Sequence, residues 1–598
     1  MAAAVEVDVT SPAGEPLSPV TAGERIEELD VVRGFALIGI FLMNVEFFNR
    51  PFAGIGEGMP RGLTGIDWLA SWFIAYFVQG KFWTIFTLLF GMGFAVMLTR
   101  AERTQRKFMA PYLRRILALA VFGAAHCIFL WAGDILFSYA VAAGGLLVLL
   151  YGRWRPILAA LVALVGLAFV PRLGPTGFVA GSLAFISLMA LYLRSERKVS
   201  LRIARVPLFS LIFLILGTLG VIASTVLWVL PDGPKEPRIP VTTISGILLI
   251  TAFLSARYHD PVELRSLRLG VGVYVLPTLM MIVTGAVRYL SPPDLPDLSL
   301  EQIAAAKAGP PAPAAISQPP DPPTAATTHT GEAGTAPGAS SDGKPAAGSA
   351  PDGETAKKQA ERAKRLAKQL ERKRKEERVL SQGTYAEAVD MRAREFPERI
   401  ADEAGFAAVM IGMFLIGVWF VRSGVMENVG AHMRLFRRLA YYALPIGIGL
   451  GLLGSLIATS HTPGSSSDGF QLARGLAMLG NLPACLGYVG LIVLALHSRS
   501  AFAKVRVLAP AGRMALTNYL LQSLISTFVF YGYGAGQWGL ARSWQVVYVA
   551  AVFALQVAFS HWWLSHYRYG PMEWLWRAIT YRRNPAMRLS PPASARAS

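Results

Sequence analysis

Long apolar runs recur along the whole chain, and short polar loops separate most of them. A helix of about 18 or more apolar residues can cross the hydrocarbon core of a bilayer, which is about 30 Å thick. The pattern therefore predicts an all-α, polytopic transmembrane helical bundle of about fourteen spans. These are placed at 31–48, 81–98, 112–131, 134–151, 156–172, 175–193, 206–230, 241–257, 269–290, 404–422, 437–458, 470–497, 511–531 and 543–564.

The segment 66–79 is apolar but short, and aromatic residues are frequent in it. Aromatic side chains with a polar edge prefer the interface between membrane and water. We therefore expect 66–79 to be an interfacial or re-entrant helix that does not cross the membrane.

Basic residues are concentrated in alternate loops, and this orients the bundle. The chain carries 57 Lys and Arg against 38 Asp and Glu, a net charge of +19. Because cytoplasmic loops of membrane proteins are enriched in Lys and Arg, we expect these loops and both termini in the cytoplasm. Because membrane orientation accounts for the positive charge, no binding of nucleic acid is predicted. The basic loops are 100–115, 152–156, 194–205, 257–268, 422–438, 497–507 and 581–588.

The composition agrees with a membrane protein. Hydrophobic residues make up 53% of the chain and charged residues 16%, whereas a soluble domain is about 25% charged. An outer-membrane barrel is excluded, since its strands alternate apolar and polar residues over about ten positions.

Two stretches differ from the spans. Residues 291–353 are rich in Pro, Ala, Gly, Ser and Thr, which predicts disorder. Residues 354–379 are densely charged, which predicts a solvated helix, with a polybasic clamp on anionic lipid as the alternative. The predicted organisation is a disordered tail (1–28), a transmembrane core (29–155), added helices (156–265), a span (266–290), a hydrophilic insert (291–380), a C-terminal transmembrane region (381–580) and a basic tail (581–598).

The first span carries an unusual stripe of polar residues. Asp30 and Arg33 are three residues apart and share a helix face. Asn44 lies eleven residues after Arg33, which returns to within about 20° of that face and rises about 16 Å. The stripe therefore runs from the cytoplasmic end toward the membrane midplane.

Two further spans repeat this arrangement. Arg115, preceded by Arg114, lies eleven residues before His126, so His126 is expected at the depth of Asn44. Another span begins near Arg513 and continues to Asn518 and Gln522, which are one turn apart.

Each of these residues also has a structural interpretation. The arginines can be positive-inside anchors and the amides can be interhelical hydrogen bonds. His126 is a stronger functional candidate, because it is the one histidine in the middle of a predicted span. Asp134, eight residues later, could orient it. No zinc-binding motif is present, and Cys127 and Cys485 lie in apolar runs, so no metal is predicted.

Several motifs together resemble the YeiB-like family, also called domain of unknown function 418. The resemblance covers about 25–155 and 380–580, which leaves ten family-like spans and four added ones. It implies a multi-pass protein of the bacterial cytoplasmic (inner) membrane, surrounded by lipids. The motifs are "LDVVRGFALIGIFLMN", "KFWTIFTLLFGMGFAVML", "HCIFLWAGDILFSYA", "GTYAEAVDMR", "GRMALTNYLLQS" and "RYGPMEWLWR".

The opening motif is also similar to that of membrane acyltransferases, which transfer an acyl group from cytoplasmic acyl-CoA to a sugar or other acceptor. The resemblance implies that Asp30 and Arg33 line the acyl-CoA entrance and that Asn44 lies near the transfer site. One of these enzymes, heparan-alpha-glucosaminide N-acetyltransferase, has a histidine on the segment after this asparagine. No histidine occurs in 45–80 here, so His126 would have to replace it.

Three functional hypotheses follow. In the first, the cationic mouth binds the phosphates of acyl-CoA as co-substrate, and His126 is the general base for a small-molecule or sugar acceptor. Asn44 or Gln522 then stabilises the oxyanion. In the second, the stripe is the path of a transporter, with His126 as a proton relay. In the third, the protein is a non-catalytic scaffold. The mouth comprises Arg33, Arg114, Arg115 and Arg513.

Overall fold

The computed structural model of this protein is almost entirely helical. Its described strands are β1 (Lys198–Ser200) and β2 (Arg205–Pro207), which pair antiparallel. The prediction of an all-α protein is confirmed. The structure describes residues 25–170, 174, 176–200, 205–230, 237–291, 297–299, 302–304, 353–457, 461, 465 and 468–589.

The helices follow the apolar runs of the sequence. Those before residue 291 are α1 (Glu27–Phe48), α2 (Gly65–Phe73), α3 (Lys81–Arg103), α4 (Met109–Ala125), α5 (Leu136–Tyr151), α6 (Trp154–Ala168), α7 (Thr176–Arg194), α8 (Leu208–Val229), α9 (Arg238–Arg257) and α10 (Arg265–Leu290). Those after residue 352 are α11 (Gly353–Gln382), α12 (Tyr385–Arg422), α13 (Met433–Arg438), α14 (Leu444–Ile457), α15 (Phe470–Leu496), α16 (Ala509–Arg513), α17 (Ala515–Phe530), α18 (Arg542–His566) and α19 (Pro571–Tyr581).

Short irregular turns interrupt this pattern. Three segments are π-helical: Ile74–Val78 follows α2, His126–Leu130 follows α4, and Leu439–Ala443 joins α13 to α14. Such π-helical turns are frequent at functional sites. Three others are 3₁₀ helices: Phe52–Gly54, Val262–Leu264 and Ala501–Leu508.

Eleven helices in the described part of the chain are long and apolar enough to cross a membrane, and α5, α6 and α17 are apolar but shorter. Each of the predicted spans coincides with one of these helices, so a polytopic helical protein is confirmed. The number of crossings and the side of the termini stay predictions. The segment 66–79 is helical and separate from α3, because Gly80 between them adopts a positive φ of 81°.

The core lies along α1, α3 and α12. In α12, the 18-residue apolar window is 78% buried, whereas the corresponding windows of α8 and α9 are each 17% buried. Helix α6 has no buried residue. The helices predicted as additions, α6–α9, thus present most of their apolar surface outward, which suits contact with lipid tails.

The described residues form two compact units. The first contains the described parts of Met1–Pro292, Lys373–His461 and Ser467–Ser598, and the second those of Pro293–Arg372 and Thr462–Ser466. A small apolar cluster of Leu298, Ile303, Ala363 and Ala367 lies in the second unit. Residues 1–24 and 305–352 are outside the described residues, and the predicted disorder in 1–28 and 291–353 falls mostly on them.

The charged stretch 354–379 is helical as expected, but its last turns are not simply solvated. Lys373 pairs with Glu57 at 2.6 Å. The Glu376 carboxylate accepts the backbone N–H groups of Phe52 at 2.8 Å and of the next residue at 2.9 Å. Leu380 is 3% exposed within an apolar cluster. The expectation of a helix with no docking face was wrong here, because Val379 and Leu380 end α11 with apolar side chains.

Candidate functional site

His126 and Asp134 form a buried pair beyond the end of α4. The His126 Nδ1 atom lies 2.8 Å from Oδ1 of Asp134, and the two side chains are 1% and 0% exposed. The other carboxylate oxygen accepts the Phe137 N–H at 2.7 Å, which caps the start of α5. The His126 Nε2 atom has no hydrogen-bond partner among the described residues. A carboxylate at Nδ1 fixes the tautomer that leaves Nε2 able to accept a proton.

Three side chains of α12 hold the backbone of residues 126–134. Tyr385 Oη and Arg392 Nε donate to carbonyls in this segment at 3.0 and 2.9 Å. Arg399 donates to two more carbonyls and pairs with Glu403 at 3.1 Å. The His–Asp pair is therefore positioned by a helix that lies more than 250 residues later in the sequence. Sequence reasoning missed these residues, although "GTYAEAVDMR" contains two of them.

A cavity of about 290 Å³ extends from a group of arginines toward this pair. Along α1 its lining runs from Leu29 to Ile40. Along α3 it runs from Arg100 to Phe86, a rise of about 21 Å for 14 residues. Its inner end includes Tyr139 and Tyr519. We call this cavity the arginine pocket, after the seven arginines among its lining residues: Arg25, Arg33, Arg100, Arg115, Arg513, Arg568 and Arg577.

The acidic residues that line the arginine pocket are already engaged. Asp30 pairs with Arg33 at 2.9 Å. Glu573 accepts the N–H groups of Leu516 and Thr517 at 2.7 and 3.0 Å and the Thr517 hydroxyl at 2.6 Å. Burial raises the pKa of Glu573, and these hydrogen bonds oppose the shift. The pocket therefore keeps a large excess of positive charge, which favours an anionic ligand.

Trp576 in α19 and Tyr569, just before this helix, each support one arginine through an aromatic ring. The Arg115 guanidinium lies 3.9 Å from the ring centroid of Trp576, and that of Arg577 lies 4.8 Å from the ring of Tyr569. Burial lowers the pKa of Arg577, while the neighbouring tyrosines raise it. These stacks hold the guanidinium groups in fixed positions. Sequence reasoning placed no functional residue on α19.

The structure brings together most of the predicted cationic mouth. Asp30, Arg33, Arg115 and Arg513 all line the arginine pocket. Arg114 does not line it, and its Nε donates to the Ala110 carbonyl at 3.2 Å. The prediction gave Arg114 and Arg115 the same role, but successive residues of a helix point about 100° apart.

The predicted amides lie elsewhere. Asn518 donates to the Ser560 hydroxyl at 3.0 Å, and Gln522 to the Gln556 side chain at 2.9 Å. Neither lines the arginine pocket. Both connect α17 to α18, which agrees with their alternative interpretation as interhelical hydrogen bonds.

Asn44 is buried in α1 and is also absent from the lining of the arginine pocket. One turn later, the ring of Phe48 lies 4.2 Å from that of Trp131. Trp131 directly follows the segment that begins at His126. The end of α1 and the end of the His126 segment therefore lie side by side. The equal depth of Asn44 and His126 in the membrane stays a prediction.

Tyr519 separates the arginine pocket from His126. Its ring lines the pocket and lies 5.1 Å from the imidazole ring. Its hydroxyl donates to the Gly133 carbonyl over a long 3.5 Å. The sequence analysis selected Asn518, which faces α18, and missed Tyr519, the next residue, which faces the pocket.

A second, much smaller cavity of about 10 Å³ lies beyond Trp131. The Trp131 ring is 6.4 Å from that of His126, and no residue lines both cavities. We call this cavity the outer pocket. It is lined by Phe52, Trp131, Ala132, Glu376, Leu380, Met391, Arg392, Glu395 and Tyr531. Among the described residues, no group of three His, Cys, Asp or Glu side chains could hold a metal ion.

Comparison with known proteins identifies relatives of unknown activity. Residues 420–583 match the family described as "Protein of unknown function (DUF418)". YxaH of Bacillus subtilis (strain 168) is 23% identical over 573 residues, covering 94% of this chain and 96% of that protein. YeiB of Escherichia coli (strain K12) is 34% identical over 173 residues, covering 29% of this chain and 44% of YeiB.

A 39.9 kDa protein from the amylase 3′ region of Bacillus acidopullulyticus is 30% identical over 206 residues, covering 34% of this chain and 57% of that protein. All three relatives are called uncharacterized. No solved structure matches this chain. The resemblance predicted from the sequence motifs is confirmed: residues 420–583 of this multi-pass helical protein match the DUF418 family, and the chain is similar to YxaH and YeiB.

Proposed function

We propose that this protein transfers an acyl group from cytoplasmic acyl-CoA to a hydroxyl or amine acceptor, with His126 as general base. One observation carries the proposal. The arginine pocket leads from a cluster of cations to Tyr519, whose ring contacts the imidazole of the His126–Asp134 pair.

The dimensions and charges of the pocket suit such a donor. Guanidinium groups bind phosphate oxygens through charge-assisted hydrogen bonds, and coenzyme A carries its phosphates at one end of a thin arm. The lining of α3 between Arg100 and Phe86 rises about 21 Å, enough for that arm to reach from the arginines to Tyr519. The apolar middle of the pocket then surrounds the arm.

The reaction is an acyl substitution at the thioester carbon. His126 Nε2 takes the proton of the acceptor hydroxyl or amine, whose oxygen or nitrogen forms a bond to the carbonyl carbon. The carbon–sulfur bond then breaks, and the leaving thiolate takes the proton from His126. Asp134 keeps the imidazole in the tautomer required and stabilises the imidazolium form.

The oxyanion donor differs from the two amides expected from the sequence. Gln522 already donates its amide hydrogen to Gln556, and Asn44 does not line the pocket. The hydroxyl of Tyr519 is better placed, because it lines the pocket and holds the Gly133 carbonyl only at 3.5 Å. A small rotation of Tyr519 would open the route to His126 and turn this hydroxyl toward the developing charge.

The test is a calorimetric titration of the purified protein with CoA and acetyl-CoA at low ionic strength. We expect both to bind, Arg33→Ala to weaken both, and His126→Ala to retain binding but lose the hydrolytic release of free CoA thiol from acetyl-CoA, in which water takes the place of the acceptor. Absence of CoA binding overturns the acyl-transfer proposal. Binding that is unchanged by Arg33→Ala overturns the assignment of the arginine pocket.

A transport function is the second candidate, and Lys81 favours it. Lys81 is fully buried at the start of α3, and its Nζ has no hydrogen-bond partner among the described residues. An ionisable group at such a place in a membrane span is a functional candidate. Proton flux into proteoliposomes, followed with a pH-sensitive dye, tests this function. A flux that is lost in Lys81→Met supports it, and the absence of any flux rejects proton-coupled transport.

A further inference from the structure

The outer pocket contains a buried cation whose terminal atoms have no partner. Arg392 is 3% exposed and lines this pocket. Its Nε donates to the Ile128 carbonyl at 2.9 Å, which fixes the guanidinium plane. Within the described residues, both of its terminal nitrogens lack a hydrogen-bond partner.

Leaving a guanidinium buried and unpaired is strongly unfavourable. The Tyr533 hydroxyl lies close enough to interact with the Arg392 side chain, but a neutral hydroxyl does not balance the charge of the guanidinium. Of the two carboxylates in the outer pocket, Glu376 is occupied by the N–H groups of Phe52 and Ala53, and Glu395 also has an interaction of its own. A ligand with its own negative group would therefore complete this site.

The position of the outer pocket relates it to the His–Asp pair. Trp131 and Ala132 form part of its wall and follow directly on the segment His126–Leu130. The arginine pocket reaches the same pair from the opposite side, through Tyr519. Two cavities with no common lining residue thus converge on one imidazole.

We propose that the outer pocket binds the acceptor, and that Arg392 recognises an oxyanion group, a carboxylate or a phosphate, on that acceptor. The planar fork of a guanidinium matches two oxygens of either group. The role as an acceptor site rests on the proposed acyl transfer, whereas oxyanion binding at Arg392 does not.

The structure shows this site closed. A cavity of about 10 Å³ has room for about one water molecule. Residues 373–382 of α11 cover it, held by the Lys373–Glu57 ion pair at 2.6 Å and by the burial of Leu380. The acceptor therefore enters when this end of α11 lifts, and weakening the ion pair raises the open fraction.

The experiment measures binding of inorganic phosphate and of acetate to the purified full-length protein by calorimetry. The Arg33→Gln/Arg115→Gln variant serves as background, so that the arginine pocket contributes less. In this background we expect Arg392→Gln to lower the affinity for whichever of the two oxyanions binds by at least tenfold. Arg394→Gln, on the same helix but exposed, should leave binding unchanged. Lys373→Ala should tighten it, because the closed state is less stable.

Comparison of the two ions identifies the preferred group. Equal binding in Arg392→Gln and in its parent overturns the proposal, as does absence of binding in the parent and in Lys373→Ala alike. Arg392→Lys guards against a folding defect, because it keeps the charge and loses the fork; its binding should fall between the parent and Arg392→Gln. If oxyanions bind at Arg392 but the protein does not bind acetyl-CoA, the oxyanion site is supported and the acyl-transfer proposal is overturned.

Discussion

The imidazole of His126 and the carboxylate of Asp134 lie 2.8 Å apart and are almost completely buried, although they come from the two sides of a chain reversal at Gly133. A side chain at Gly133 would meet the Trp131 ring at 2.2 Å, so the turn that aligns the pair requires glycine. This geometry is the basis of the catalytic role that we propose for His126.

The pair predicts a loss of activity on single substitution. His126→Gln and Asp134→Asn should each lower the hydrolytic release of CoA thiol from acetyl-CoA, with water as acceptor, by roughly 10²–10⁴-fold, because the base is removed or its tautomer is no longer fixed. Acetyl-CoA affinity should change little. His432→Gln, at a partly exposed histidine, is the control. Full activity in Asp134→Asn would contradict the proposed role of the pair.

Two adjacent arginines provide a matched test of the arginine pocket. Arg115→Gln should weaken CoA binding about tenfold, since Arg115 lines the pocket and is stacked on Trp576. Arg114→Gln should have little effect. Calorimetry at two salt concentrations should show weaker binding at the higher one. Equal effects of both substitutions would mean that only general surface charge matters.

The contacts of Arg399 predict a stability effect. Arg399→Ala leaves the Glu403 carboxylate and two carbonyls of the 126–134 segment without their partner. We expect the free energy of unfolding to fall by about 3 kcal/mol, together with activity. Arg394→Ala, at an exposed ion pair on the same helix, should cost less than about 1 kcal/mol. Thermal unfolding in detergent compares them, and equal melting temperatures would refute this role.

Helix α1 packs against its neighbours through Gly34. A Cβ atom there would lie 2.2 Å from the Leu508 carbonyl oxygen, so Gly34→Ala should destabilise the fold by about 1–3 kcal/mol through overpacking. Gly144→Ala, in α5, meets nothing within 4 Å and should be neutral or slightly stabilising. The melting temperatures of the two variants in detergent are compared with that of the unsubstituted protein. An unchanged melting temperature for Gly34→Ala would show that α1 and its neighbour separate easily.

Reporter fusions test the orientation of the spans. A phosphatase that is active only outside the cytoplasm should be active within the 291–380 insert and inactive at either terminus. The reason is that the basic loops should stay in the cytoplasm. A fluorescent protein that matures only in the cytoplasm should give the opposite pattern. A reverse result at one position would change the number of crossings between that position and its neighbours, whereas reverse results at all three would invert the whole bundle.

The sequence by itself determined the fold class and the positions of the helices, since apolar runs of sufficient length must form helices in a membrane. It also determined how far His126 lies from Arg115 along the helix axis, and how far Asn44 lies from Arg33, because the helical rise is constant. These inferences depend only on local geometry, and the structure agrees with them.

Only the tertiary structure decided which face of each helix points inward. A span is apolar on all sides, so its periodicity does not distinguish a lipid-facing position from a packed one. For that reason Arg114 and Arg115, or Asn518 and Tyr519, could not be told apart in advance. Tertiary packing likewise brought Arg392, Arg399 and α19 to the site, because contacts across hundreds of residues leave no local pattern in the chain.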